Sequence, residues 1–273
     1  MDIPYSATAR PDTGLYNAKV GMWLFLASEV MLFGGLFSAY VLLRAGTETG
    51  QWPHGLLKVW LGTLNTGVLI TSSITVVMAW ASLKMGNLAN FKKFMTATLV
   101  CAAVFLGIKA TEYRDKFTHY EVWLTNGQRM TGHIEGSPWL WNTKTLAEKK
   151  IDKLAFLPDA HHYALGPIAA AKVGEAESHG GHAKIEIPAT DIKRLSAFVP
   201  AHSPYFAIYF TMTALHALHV LGGALVLAWF LGPGISGWKK NSELFTNRVE
   251  VSGLFWHFVD LVWIVLFPTL YLF

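Results

Sequence analysis

The chain has 273 residues, of which 52% are hydrophobic and only 15% charged, with eleven Trp and seventeen Phe, a balance too apolar for an ordinary soluble domain. Its formal charge of +4 falls largely beside apolar runs, so it reads as a membrane-topology signal and not as a nucleic-acid footprint. A single cysteine, Cys101, lies within an apolar run, which excludes an intrachain disulfide, a Cys-x-x-Cys-His haem attachment and a thiolate-bridged dicopper centre.

Crossing a bilayer takes about 20 apolar residues in a helix. Five stretches meet that length within a few residues, at 19–43, 60–83, 94–112, 205–231 and 251–272. The first eighteen residues are polar and the first apolar run is too long for a signal-peptide core, so no cleavable leader is expected. That first run contains "FLASEVMLFGG", which places Glu29 about ten residues in, or roughly 15 Å deep at the helical rise. An ionisable group at such depth is costly unless it faces protein or a partner, which makes it a functional candidate. The face of Glu29 carries Met22, Phe25, Phe33 and Leu36, none of which can neutralise it. About a quarter turn away, Gly21, Ser28 and Gly35 form a stripe spaced by sevens, where another helix can approach closely.

Residues 113–204 interrupt the apolar pattern with basic and acidic side chains in near balance. Their start, "YEVWLTNGQRMTGHI", sets Asn126-Gly127 between two β-prone runs and predicts a hairpin. Further on, "GEAESHGGHAKIEIP" reads as loop or mobile linker. His179 and His182, with His161 and His162 upstream, lack a defined third ligand and a rigid support, so a solvated loop is preferred there to a metal site.

The fourth run, "TALHALHVLGG", sets His216 and His219 one turn apart and follows them with Gly222 and Gly223, which permit close packing. The fifth, "FWHFVDLVWIV", spaces His257 and Asp260 by three, flanked by Trp256 and Trp263. Short loops on one side carry Arg10, Lys19, Lys84, Lys92, Lys93, Lys239, Lys240 and Arg248, against Arg44 and Lys58 opposite. The N-terminus is therefore expected in the cytoplasm, with the C-terminus and the insertion outside. In that orientation Glu29, His216, His219 and Asp260 reach the central bilayer and His257 lies nearer the cytoplasm.

The predicted fold is an all-α integral membrane protein. Three helices (1–112) and two more (205–273) form a five-helix bundle, interrupted by an extracytoplasmic insertion (113–204) with a small β hairpin. Three readings of the embedded groups stand. Neutral imidazoles hydrogen-bonded to carbonyls or to Asp260 would lock the bundle. Two carboxylates and three histidines would make a di-metal centre, although the Glu-x-x-His repeat of such bundles is missing. A haem held by His216 or His219 against His257 is the third, without support from the spacing.

The ordered set "GMWLFLASEVMLFGGLFSAYVLLR", "HALHVLGG" and "WHFVDLVWIVLFPTLYLF" resembles subunit III of the haem–copper terminal oxidases, the group of cytochrome c oxidase and the bacterial quinol oxidases. "LNTGVLITSSITVVMAWASL" and "GIKATEY" resemble the spans between the first two signatures. The likeness covers all five runs and leaves out 118–203. It implies a subunit of an oxygen-reducing, proton-translocating enzyme of aerobic respiration, in a bacterial inner membrane, that is non-catalytic itself. No catalytic or metal-ligating residue is then expected in this chain, and haem and copper belong to partner subunits. The partners implied are subunit I directly, subunit II, and phospholipids in a cleft. Glu29, His216, His219, His257 and Asp260 match the family's buried polar positions at such an interface. Many members have seven spans, so two helices are missing here by comparison, and five-span versions can carry that pair on subunit I. The family pattern assigns no role to the insertion, which could touch a donor cytochrome or a partner respiratory complex. An accessory subunit of a nitric oxide reductase and a free-standing membrane metalloenzyme are the alternatives.

Overall fold

Helix α1 (Leu15–Ala45) begins the computed structural model, which describes residues 15–48, 52, 57–136, 138–159 and 185–272, with side chains from residue 17. Arg10 and the four histidines at 161, 162, 179 and 182 lie outside the described residues. Two further long helices follow, α2 (Val59–Lys84) and α3 (Leu88–Thr118). Strands β1 (His119–Leu124) and β2 (Arg129–Ile134), a short helix α4 (Thr143–Glu148), and strands β3 (Lys153–Pro158), β4 (Ile185–Pro188) and β5 (Ile192–Ala197) come next. Helix α5 (Pro204–Leu231), the short α6 (Ser236–Lys240) and α7 (Ser242–Phe267) complete the order, and α7 ends in a π-helical turn over Pro268–Leu272. Among the described residues, five helices are long and apolar enough to cross a membrane, the last counted as Ser242–Leu272.

The helices extend past the predicted spans because helical hydrogen bonding does not stop where apolar composition does. α3 continues from 112 to Thr118, so the insertion begins on a helix, and α7 starts at Ser242 and not at 251. Asn241 caps that early start, its side chain accepting from the Leu244 N–H at 2.9 Å. α2 is rich in β-branched and hydroxyl residues yet helical, since Thr71, Ser72, Thr75 and Ser82 each donate to a carbonyl one turn back. That satisfies their hydroxyls without water. Gly86, at φ +73°, ends α2, and the Asn87 N–H reaches back to the Ser82 carbonyl.

The chain divides into two compact units. The first takes 1–35, 63–106 and 216–265. Its interior joins α2, α3 and α7: Trp256 Nε1 donates to Ser72 at 3.0 Å, Trp263 Nε1 to Thr66 at 3.0 Å, and Thr75 meets Thr98 at 2.8 Å. Phe91 and Phe230 each meet Phe245 edge-on, at 5.9 and 5.6 Å. Gly223 lets α5 come close to α7, for a Cβ there would lie 3.0 Å from the Trp256 ring.

The second unit takes 36–62, 107–215 and 266–273. Its sheet has five antiparallel strands in the order β4-β3-β2-β1-β5. The hairpin expected at Asn126-Gly127 forms, with Gly127 at φ +85°, but it is the centre of a larger sheet. The segment expected to be linker contributes β4 at Ile185–Pro188, which the Gly-rich composition upstream of it concealed. Period-two alternation sends Tyr120, Val122, Met130, Ile134, Leu154 and Phe156 to one face, where they build the core of the insertion. The other face carries His119, Glu121, Arg129, Thr131 and His133.

Candidate functional site

Within the first unit, α1 and α5 bring two of the sequence-selected groups together. Glu29 Oε2 lies 2.9 Å from His219 Nε2, both side chains about one-sixth exposed. Phe33 meets the imidazole edge-on at 5.4 Å and Phe255 lies along it at 6.1 Å, with Phe25 packed on Phe255. An acid that its own helix face could not neutralise thus finds a partner on α5, inside an aromatic enclosure. A hydrogen bond of this kind contributes about 0.5–1.5 kcal/mol net.

The other selected groups go elsewhere. His216, fully buried, packs against both Phe105 and Trp263, at 5.6 and 5.1 Å, and those two rings also touch each other at 4.9 Å. His257 Nδ1 sits 2.6 Å from the Ser73 hydroxyl. Asp260 is buried, and neither of its carboxylate oxygens reaches a hydrogen-bond partner among the described residues, although Ser73 lies near enough to act on it. The five groups therefore form the Glu29–His219 pair, a second grouping of His257 and Asp260 about Ser73, and His216 among aromatic rings. Of the glycine positions, Gly223 is packed, whereas Gly21, Gly35 and Gly222 have open space beside them and Ser28 is exposed, its hydroxyl turned to the Phe25 carbonyl. The stripe on α1 is thus not covered by the described residues, and only 17% of the apolar window of α1 is buried among them, against 44% for α7.

The second unit holds a polar cluster that the sequence reading passed over. Lys109 Nζ lies 2.9 Å from Glu112 Oε2, one turn along α3, and both side chains are 3% exposed. Tyr209 and Tyr271 donate to Glu112 Oε1 at 2.7 Å each, and the ammonium also reaches the Tyr271 hydroxyl at 2.9 Å. Tyr113 completes the group through Thr213 at 2.6 Å. The signal was present in "GIKATEY": a lysine and a glutamate three apart at the end of an apolar run are neighbours on a helix. What the spacing could not supply was the tyrosines from α5 and the terminal turn.

On the polar face of the sheet, Glu121 pairs with His202 at 3.0 Å, and His119 Nε2 with Asp159 Oδ2 at 2.6 Å. Burial holds the His119 imidazole below its ordinary value despite Asp159. Burial would raise Asp159, but the hydrogen bond and charge of His119, with Thr131, bring it below the usual carboxylate range. Arg129 stacks on Trp123 at 3.8 Å and Arg194 approaches the same ring at 5.6 Å. They border a half-open cavity of about 540 Å³ whose apolar wall includes Leu42, Leu43, Trp52 and Tyr205.

A family model described as Cytochrome c oxidase subunit III matches residues 10–122 and 190–273, leaving out most of the sheet. Cytochrome c oxidase subunit 3 of Thermostichus vulcanus is 26% identical over 255 residues, 93% of this chain and 86% of that protein. Quinol oxidase subunit 3 of Bacillus spizizenii is 24% identical over 262 residues, 96% of this chain and 89% of the relative. A heme-copper oxidase subunit I+III of Aeropyrum pernix is 23% identical over 260 residues, which is 93% of this chain but 22% of that longer protein.

Proposed function

Because this chain belongs to the cytochrome c oxidase subunit III family, we propose that it acts through the Glu29–His219 pair to hold an interface with its catalytic partner and sustain that partner's turnover. It is a multi-pass membrane protein and an accessory subunit of a haem–copper oxidase, part of the oxygen-reducing complex and not itself catalytic. It associates with subunit I, in keeping with the Aeropyrum pernix relative in which the two are one protein.

The observation that carries the finer reading is the 2.9 Å contact between Glu29 and His219 on α1, the helix least covered by the rest of the chain. A buried acid–imidazole bond ties α1 to α5 and fixes the face on which Gly21, Ser28 and Gly35 stand open. That face receives subunit I and the lipids between the two subunits. The role of Glu29 is to keep this surface in register beside the proton-uptake route of subunit I. Haem and copper reside in the partner subunits.

The chain sits in the bacterial inner membrane with its N-terminus cytoplasmic and the insertion outside, on the strength of the basic short loops. There the cavity edged by Arg129 and Arg194 suits an anionic phospholipid headgroup, with Leu42 and Leu43 beside its acyl chains. On that side the insertion would be available to a donor cytochrome or a partner respiratory complex. Native purification of the oxidase carrying Glu29→Ala tests the central reading. Haem content per subunit I is expected unchanged while the number of turnovers before inactivation falls. Unaltered subunit retention and turnover lifetime would refute it.

A further inference from the structure

Outside the membrane, three ligating side chains converge where no family pattern assigns a site. His119 on β1 and His133 on β2 are directly opposed in the antiparallel register, which sets their Cβ atoms about 5 Å apart. Both lie on the sheet face turned away from the apolar core, and their rings are 4.7 Å apart. Asp159 follows β3 at once and is held beside them by its backbone N–H, which donates to the Thr131 carbonyl at 2.9 Å. One ligating atom from each of the three lies within 4.8 Å of the other two. Three candidate ligands are thus brought together by strand pairing.

From this convergence we infer that His119, His133 and Asp159 bind a divalent transition cation of the zinc type, with the fourth position open to solvent. Zinc takes His nitrogen and carboxylate oxygen at about 2.0–2.2 Å, so its ligands stand about 3.3 Å apart. The His119–Asp159 pair, now 2.6 Å apart, would open slightly to that spacing while His133 closes on it by side-chain rotation. His133 is already oriented: its Nδ1 lies 2.9 Å from the Thr118 carbonyl oxygen, an arrangement that keeps the proton on Nδ1 and leaves the Nε2 lone pair for a metal. Burial favours the neutral, ligating form of His119, and Asp159 is ionised at neutral pH. Asp159 remains about one-fifth exposed, which gives an ion a route in. Lys116, whose charge reaches His119, is the group that opposes a cation here. The bound ion would clip the ends of β1, β2 and β3 together beside the last turn of α3.

The test uses the intact chain in detergent or the native complex, stripped with chelator and dialysed against Zn²⁺. One equivalent of zinc per chain is expected, and Co²⁺ in its place should give the visible bands of a four-coordinate site. His133→Ala and Asp159→Asn should each weaken zinc binding at least about tenfold with the circular dichroism of the chain unchanged. A variant with His161, His162, His179 and His182 all replaced by Ala should keep it. Should a ligand variant fail to fold, the cobalt spectrum of the parent chain and the retention of zinc by the four-histidine variant decide. Absence of stoichiometric zinc in the parent chain overturns the inference, as does zinc that survives His133→Ala with Asp159→Asn, or zinc lost from the four-histidine variant.

Discussion

Removing the Glu29 carboxylate leaves the His219 imidazole inside its ring of phenylalanines with no acid to bond. Glu29→Ala should therefore loosen α1 by about 0.5–1.5 kcal/mol, while Glu29→Gln, whose amide oxygen still accepts, should cost less. Loss of this subunit during stepwise detergent exchange measures the difference. Lys109 and Glu112 carry a larger stake, because truncating one partner of a buried pair strands the other charge and costs about 3–5 kcal/mol. Lys109→Met alone should lower the thermal unfolding midpoint sharply. Adding Glu112→Gln should recover part of that loss, since an amide oxygen still accepts from Tyr209 and Tyr271 while the stranded charge is gone. Equal midpoints for the single and double variants would count against a net charge penalty at this site.

At the level of helices and strands, close approach is where single atoms decide. A Cβ at Gly132 would overlap the Leu157 carbonyl and come 2.8 Å from the Pro158 Cα, both rigid backbone. Gly132→Ala should break the β2–β3 pairing and raise amide exchange through β3, whereas Gly21→Ala, with open space around it, should leave the isolated chain unchanged. The sheet should also weaken in acid. His119 and Asp159 both have folded pKa values below their ordinary ones, so the unfolded chain binds more protons and stability rises with pH. The His119 contribution is complete above about 6.5 and is lost as pH falls through its lowered folded value. That of Asp159 is complete above about 3.9 and fades at still lower pH. Amide exchange of β1 and β2 between pH 7.5 and 5 reads the first of these, and a flat profile would contradict it. The helices were legible in the sequence because length and apolarity alone determine them, and the hairpin because Asn126-Gly127 marks its own turn. The five-stranded sheet was not, since β3 and β4 pair through contacts remote in sequence. The same holds for the sites: Glu29 and His219 announced themselves by being polar at bilayer depth, while His119, His133 and Asp159 become neighbours only once the strand register is set.

For the whole molecule, membership in the subunit III family accounts for an uncovered apolar α1, a helix that would be a liability in a chain working by itself. Its exposed large side chains, Trp23, Leu24, Met31 and Leu42 among them, need lipid or another subunit. On the function proposed above, the embedded acids and imidazoles serve attachment, and electron transfer stays with the partner. The measurement that bears most directly on this is the haem and copper content of the chain after it is separated from subunit I in mild detergent. All haem and redox-active copper should remain with the partner fraction, and this chain should have no Soret band. Iron or copper bound stoichiometrically to His216, His219 or His257 of the separated chain would contradict the account.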